Sequence, residues 1–494
     1  MRILIDTNIF IPLEDSSTVL DDSFSKLVRL ANENQHHLLV HPSSIADLKR
    51  DSNQDRREIN LSRIKKYSIL ENPPIVDNDK LSLLGLNQSN DNDRVDNDIL
   101  FALYSDAANI LISEDRRLHK KAIILNISDR VHYIQQAADF LRRLHSRAKV
   151  TLPNIEETNL HQIDLASPFF DSLRDGYEGF DAWFKSASRQ GRNAWIHHDK
   201  LGNLGAICIY KEEHDPIVTD DNRAIAGKVL KLCTFKVGDE IRGRKIGELF
   251  LKAAFNYATN NDFEHIYLTM RPDEQEFLAD LVMDFGFSEF GMYKGDYVYV
   301  KHHPPKPPKS DMEPLEYHKH FYPYFKCSAH INKFIIPIQP IYHKSLFPEN
   351  QMQFSLFSHS VAGNAIKQAY ICNAQTKGIA AGDIVCFYRS EDQKAITTIG
   401  VVESFENIAE ADKILQKVSK RTVYSYADID ALVSKRTKVM LFRMALHLPQ
   451  PIHYTWLLNN NIIKGKIQSI RSISDESFSK IIREGRIENC VYAH

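Results

Sequence analysis

The chain has little of what would commit it to several large protein classes. Its 494 residues include six cysteines, Cys208, Cys233, Cys327, Cys372, Cys386 and Cys490, and no two form a C-x-x-C pair. That excludes the spacing of a zinc knuckle or a thioredoxin-like couple and leaves packed, reduced thiols in a cytoplasmic protein as the expectation. No apolar run approaches the ~20 residues of a membrane helix, and no targeting pattern opens the chain, so no membrane partner is expected. The 21 histidines have no acidic or thiol neighbour at metal-ligand spacing. Charge of one sign is missing as well: 62 Lys and Arg face 64 Asp and Glu, a net charge of −2. Such a balance gives no bulk attraction to nucleic acid.

What is present reads as a folded, multidomain protein. Hydrophobic residues make up 43% and charged residues 26%, a globular composition, and at roughly 150 residues per domain the length predicts about three. Residues 302–314, HHPPKPPKSDMEP, carry five prolines and read as an extended linker. A second boundary is expected near 148, where a helical pattern gives way to TLPNIEET. The resulting segments are 1–148, 149–301 and 315–494, and the fold class expected is multidomain α/β and α+β.

In the first segment RILID is a short buried strand ending on Asp6, followed by Thr7 and Asn8. An acid at the carboxyl end of a parallel strand is aimed at the side of the sheet where ligands sit. HLLV is a second strand, before a helix carrying Asp47 and Asp51 that Ser43 or Ser44 is expected to cap. Val95, Ile99, Ala102 and Leu103 mark a buried helical face, with Asp96 and Asp98 near its start. A strand ending at Ile112 then leads into Ser113, Glu114 and Asp115. Each acid taken singly is an ordinary cap; several drawn together repel unless a hard divalent cation neutralises them.

The I-L-I-D-T-N opening, the mid-segment acid, V-D-N-D-I-L and L-I-S-E-D-R together resemble a PIN-domain ribonuclease over about residues 1–135. The resemblance implies a parallel α/β sheet and a catalytic Mg²⁺ or Mn²⁺ site of Asp6, Asp47, Asp96 and Asp115, with Thr7, Asn8, Asp98 and Ser113 around it. Two positions depart from the pattern or divide. Asp47 stands where many members have Glu, with Asp51 as its alternative, and the third acid is either Asp96 or Asp98, of which Asp96 is preferred because it follows Val95.

The second segment has apolar strands at LGAICIY and VLKLCTF, then a basic turn containing glycine before an amphipathic helix from Ile246. Such a turn directs backbone amides at an anion. Continued through HIYLTM, a helix, G-F and DYVYVK, the order is similar to the GNAT acyltransferases, which have a mixed sheet with helices. That resemblance implies acetyl-CoA held by Arg242, Gly243, Arg244, Lys245, Ile246 and Gly247. Lys245 replaces a signature glycine, and Val282 occupies the place of the tyrosine that many members use as a general acid, leaving Tyr293, Tyr297 or a water as the substitute.

In the third segment, Gly382-Asp383, the apolar strand Ile384–Tyr388 and its hairpin partner Ala395–Glu403 resemble the PUA-like small β-barrels of the ASCH and EVE type. RNA or base binding is implied, although no complete ASCH lysine–glutamate–arginine motif is present. Lys435, Arg436 and Lys438, with Tyr424 and Trp456, are the candidate RNA-binding residues, since stacking plus phosphate contact holds single strands. Residues 1–120 carry 15 basic and 20 acidic groups, whereas 311–494 carry 22 and 17. The function expected is a metal-dependent endoribonuclease acting on tRNA or another structured RNA, toxin-like, with an antitoxin or regulatory protein as a partner. The alternative is an N-acetyltransferase acting on an aminoacyl-tRNA, a nucleobase or a protein amine.

Overall fold

The computed structural model describes residues 1–14, 22–76, 78–86, 88, 90–145, 154–199, 201–238, 241, 245–271, 276–348, 360–362, 366–418, 421, 424, 426–433, 437–487 and 492–493. The chain divides into two compact units, 1–149 with 408–437, and 150–407 with 438–494.

In the first unit β1 (Arg2–Ile5), β2 (His37–Val40), β3 (Ser68–Ile69), β4 (Ile110–Ile112) and β5 (Val131–His132) form a parallel sheet in the order β3-β2-β1-β4-β5. Ile3, Leu4, Ile5 and Ile110 to Ile112 are wholly buried, the continuous apolar reading of strands covered on both faces. The helix Asp91–Tyr104 starts at Asn90, whose side chain accepts from the Asp93 amide, and packs Ile99, Leu100 and Leu103 on Leu4 and Leu111. Each such side chain contributes about 1.5–3 kcal/mol by leaving water. Residues 408–437 bring two more helices to this unit, Ala411–Val418 and Tyr426–Leu432, with Ile414, Leu415 and Ile429 buried.

The second unit begins with β6 (Asn154–Asn159), β7 (Asn193–His198), β8 (Leu204–His214), β9 (Lys228–Val237), β10 (His265–Met270), β11 (Ser288–Tyr293) and β12 (Asp296–His302). The helix Ile246–Asn260 packs Leu249, Phe250, Ala254 and Phe255 in one core of this sheet, while Phe180, Phe184 and Ala187 of the helix Phe180–Arg189 join a second core with Ile207 and Ile209. Further along come β13 (Phe325–Lys326), β14 (Lys333–Ile338), β15 (Ser360–Ala362), β16 (Lys367–Cys372), β17 (Ile384–Arg389), β18 (Ala395–Asn407), β19 (Lys438–His453), β20 (Arg471–Ile473) and β21 (Tyr492–Ala493). Six of these form a mixed sheet, β16-β19-β18-β17-β14-β20, while β15 joins the first sheet, whose order is β11-β12-β10-β9-β8-β7-β6-β15.

The separate second and third domains expected from the proline-rich stretch are one unit here. Tyr322 and Ile366 lie in the same core as Phe255 and Phe285. The side chain of Arg443 is 1% exposed; its Nη2 donates to Asp284 (2.6 Å) and its Nε to Glu403 (2.7 Å). Burial works against the Asp284 charge, yet Arg443 and Lys367 hold its pKa at about 2. The prolines are fastened too: the Tyr324 hydroxyl donates to the Pro304 carbonyl (2.7 Å) and that of Tyr317 to Pro308 (2.9 Å). Proline removes donors but leaves carbonyls, which these tyrosines satisfy.

Candidate functional site

Strand order reverses at β1, which has β2 on one side and β4 on the other, so a crevice is expected beyond the carboxyl ends of β1 and β4. Asp6 and Ser113 follow those ends. The Asp6 carboxylate accepts from the Thr7 amide (2.7 Å), Asn8 Nδ2 (2.8 Å) and Ser113 Oγ (2.7 Å). Burial nevertheless pushes its pKa up, and the charge of Asp115 adds to this. Burial likewise raises Asp96, to about 6, with Asp115 and Asp6 raising it further and Lys121 opposing. Asp6, Asp96 and Asp115 therefore share one electrostatic neighbourhood.

The other acids are engaged elsewhere. Asp47 is paired with Arg50 at 2.6 Å, and Asp51 with Arg56. Asp98 accepts from Ser43 Oγ (2.6 Å). The helix carrying Asp47 is capped by His41, whose side chain accepts from the Ser43 amide ahead of Pro42 at the first helical position, rather than by Ser43 or Ser44. Lys121, which no local pattern singles out, donates to Asp93 (2.9 Å) and lies 3.3 Å from Asp96.

These residues do not fit a divalent cation as they stand. Among the described residues no three His, Cys, Asp or Glu side chains are grouped to hold a metal ion. Asp6 is filled by hydroxyl and amide donors, Asp115 caps the helix Arg116–Ile124 through its Oδ1, and the ammonium of Lys121 supplies the positive charge beside Asp96. Of the four acids expected to hold a metal, Asp6, Asp96 and Asp115 influence one another, while Asp47 is paired with Arg50.

In the eight-stranded sheet of the second unit β9 and β10 run parallel, and they pair only from Val229–His265 to Leu232–Leu268. Beyond this, β9 stays with β8 as far as Val237, and β10 stays with β12 through Met270, so the sheet opens. A bulge places Cys233 as an extra residue in β9, between Leu232 opposite Tyr210 and Thr234 opposite Ile209; bulges sharpen local twist and redirect side chains. At the opening lies a cavity of about 480 Å³, lined by Thr234 and Phe235 of β9, Thr269 of β10 and Leu278, with Tyr177 and Trp183 from the helical side. Burial raises the Cys233 thiol, which makes it a poor nucleophile.

Of the turn expected to hold the cofactor, Arg242, Gly243 and Arg244 lie outside the described residues. Lys245 has φ +60, the left-handed conformation that suits the glycine it replaces, and its Nζ donates to the Lys367 carbonyl (3.0 Å). Ile246 is buried, and Gly247 lets the helix approach its neighbour closely, since a Cβ there would stand 2.9 Å from Leu281 Cδ2. Val282 is fully buried in the core; Tyr297 packs beside that core and Tyr293 is 36% exposed. Neither tyrosine lines the cavity.

The expected RNA-binding residues are distributed over both units. Lys435 and Arg436 lie outside the described residues, Tyr424 is 2% exposed and belongs to the first unit, while Lys438 and Trp456 belong to the second. Lys438 sits over the Phe405 ring at 5.7 Å, and Trp456 packs on the core that includes Leu457 and Phe478. A different opening, of about 530 Å³, lies beside β14 and β20, lined by Phe334, Lys377 and Arg471 among others.

No family model matches the chain, and no curated protein matches it. Solved structures similar to parts of it include the ASCH protein of Zymomonas mobilis (11% identity, 31% of this chain and 94% of that one, TM-score 0.25). Others are a GNAT family N-acetyltransferase from Escherichia coli in complex with CoA (12%, 32% and 85%, 0.23) and a histone acetyltransferase HPA2-related acetyltransferase from Corynebacterium glutamicum (15%, 32% and 99%, 0.24). Each likeness spans about a third of this chain.

Proposed function

We propose that the second unit is an acyl-CoA-dependent N-acyltransferase. The observation that carries this reading is the separation of β9 from β10 after Leu232 and Leu268, with a cavity at the opening. Where two parallel strands part, backbone amides and carbonyls on their facing edges lose their partners and become available to an extended amide-bearing ligand. Acetyl-CoA would supply the acyl thioester. The chain's part is to align that thioester with an amine in the cavity, which is worth several orders of magnitude in rate when the geometry is held. Glu178 and Asp296 line the cavity and are the carboxylates available to take the ammonium proton. Val282 donates nothing, so the departing thiolate relies on solvent, which suits a leaving group of moderate basicity.

Calorimetric titration tests the reading. Acetyl-CoA binds the intact protein, and Thr234→Trp, which fills the opening, weakens binding at least about tenfold, the equivalent of roughly 1.4 kcal/mol. Absence of binding at millimolar cofactor would overturn it.

A second reading places a metal-dependent ribonuclease in the first unit, with RNA as substrate and an inhibitory protein as partner. It is favoured by the coupling of Asp6, Asp96 and Asp115 and opposed by the cation of Lys121 among them. RNA cleavage that requires Mn²⁺ and is abolished by Asp6→Asn would establish it; cleavage that survives Asp6→Asn would remove it.

A further inference from the structure

The cavity at the parted strands is lined by three cationic groups, Arg192, Lys211 and Lys231, and three carboxylates, Glu178, Glu213 and Asp296, of which Lys211 and Glu213 form an ion pair. Lys211 of β8 and Lys231 of β9 are directly opposite across the ladder, a like-charge pair that destabilises a sheet unless an anion stands by. Glu213 answers Lys211 at 2.7 Å and accepts from the Tyr267 hydroxyl at 2.5 Å. Lys231 has no carboxylate within 4 Å among the described residues; its ammonium stands 5.2 Å over the Tyr267 ring. Arg192, from the far wall, is likewise without a carboxylate. Its Nη2 donates to Gln190 (2.8 Å) and its Nη1 lies 3.9 Å from the Cys233 sulfur, while its Nε is buried with no hydrogen-bond partner among the described residues. Of the other two acids, Asp296 has Arg271 at 3.8 Å, and Glu178 is exposed.

Arg192 and Lys231 line the cavity as cations with no ion-paired carboxylate among the described residues, and guanidinium groups match carboxylates and phosphates in geometry. We propose that the acyl acceptor is an amine that also bears an anionic group, a carboxylate or a phosphate, held by Arg192 and Lys231. Trp183, 5.8 Å from the Arg192 guanidinium, and Tyr177 and Phe180 flank the acceptor's carbon frame. This inference rests on the acyltransferase reading and fixes the class of its second substrate.

Two pairs of amines test it with the full-length protein and acetyl-CoA: phenylalanine against phenethylamine, and O-phosphoethanolamine against ethanolamine. The anionic member of at least one pair is acetylated with a kcat/KM about tenfold or more above its uncharged partner, as expected for one charge-assisted hydrogen bond. The pair that discriminates more strongly identifies carboxylate or phosphate as the group. Arg192→Gln raises KM for the anionic member about tenfold, leaves kcat nearly unchanged and erases the discrimination, while its acetyl-CoA affinity and melting temperature match the wild type. Lys231→Gln does the same to a smaller extent. Equal or inverted preference in both pairs, or discrimination that survives both substitutions, would overturn the proposal. Calorimetric titration of the same four amines without cofactor separates the two readings. Anion-selective binding that Arg192→Gln removes, in a protein that ignores acetyl-CoA, would uphold the anion site and refute acyl transfer; acetyl-CoA binding with no anion preference would do the reverse.

Discussion

Asp96 shows how a single side chain reports its surroundings. Burial, and after it the charges of Asp115 and Asp6, lift its pKa from 3.8 to about 6 against the pull of Lys121. A carboxyl raised on folding contributes stability that is complete below the unfolded value and lost as pH rises through the folded one. The contribution of Asp96 to stability should therefore decline between pH 4 and 6. Asp96→Asn keeps the neutral form at every pH, so it should unfold at higher urea than wild type at pH 8, by about 2 kcal/mol, with the gap closing near pH 4. Urea melts at the two pH values check this, and a variant less stable than wild type at pH 8 would contradict it. The same neighbourhood marks what local sequence carries. Asp6, Thr7, Asn8 and Ser113 sit at or beside strand ends, and Asp6 accepts hydrogen bonds from the other three. Lys121 was not legible, because it meets Asp96 across 25 residues from a different helix.

At the scale of elements, apolar runs with clear punctuation were read well and polar or proline-containing ones were not. LGAICIY, VLKLCTF, HIYLTM and DYVYVK are strands because each runs as a continuous or alternating apolar series. The polar NIEETN is β6, held between β7 and β15 by backbone pairing, which needs no apolar side chains. FIIPIQPIYH splits at Gln339 into β14 and the helix Pro340–Leu346, with Pro340 at the first helical position. The G-F dipeptide has a definite duty. Gly286 has φ +83, and a Cβ there would stand 2.6 Å from the backbone oxygen of His320, so glycine both makes the turn and admits the following segment.

For the whole molecule, the finding with most consequence is that two segments of different apparent origin share a core and a charge cluster. Arg443 joins β19 to Asp284, which precedes β11 of the eight-stranded sheet, and Lys367 does so from β16. Breaking a buried ion pair on one side strands the other charge. Arg443→Ala should lower the stability of the second unit by about 3–5 kcal/mol, seen as one shifted denaturation transition. If the eight-stranded sheet keeps its midpoint while the six-stranded sheet alone shifts, the shared core does not act cooperatively.

The amino-acid sequence by itself determined the strands, the helix faces and the acids at strand ends, because these follow from short-range periodicity and from where a chain turns. It also separated an acidic beginning from a basic end, although the net charge is close to zero. Tertiary structure decided the rest: that Asp47 goes to Arg50, that Lys121 sits among the acids, that Tyr424 is buried, that the proline-rich stretch lies within a unit, and that Arg192 and Lys231 share a cavity. Each of these depends on side chains brought together from distant positions, where electrostatic pairing and burial choose the partner and no local pattern records the choice.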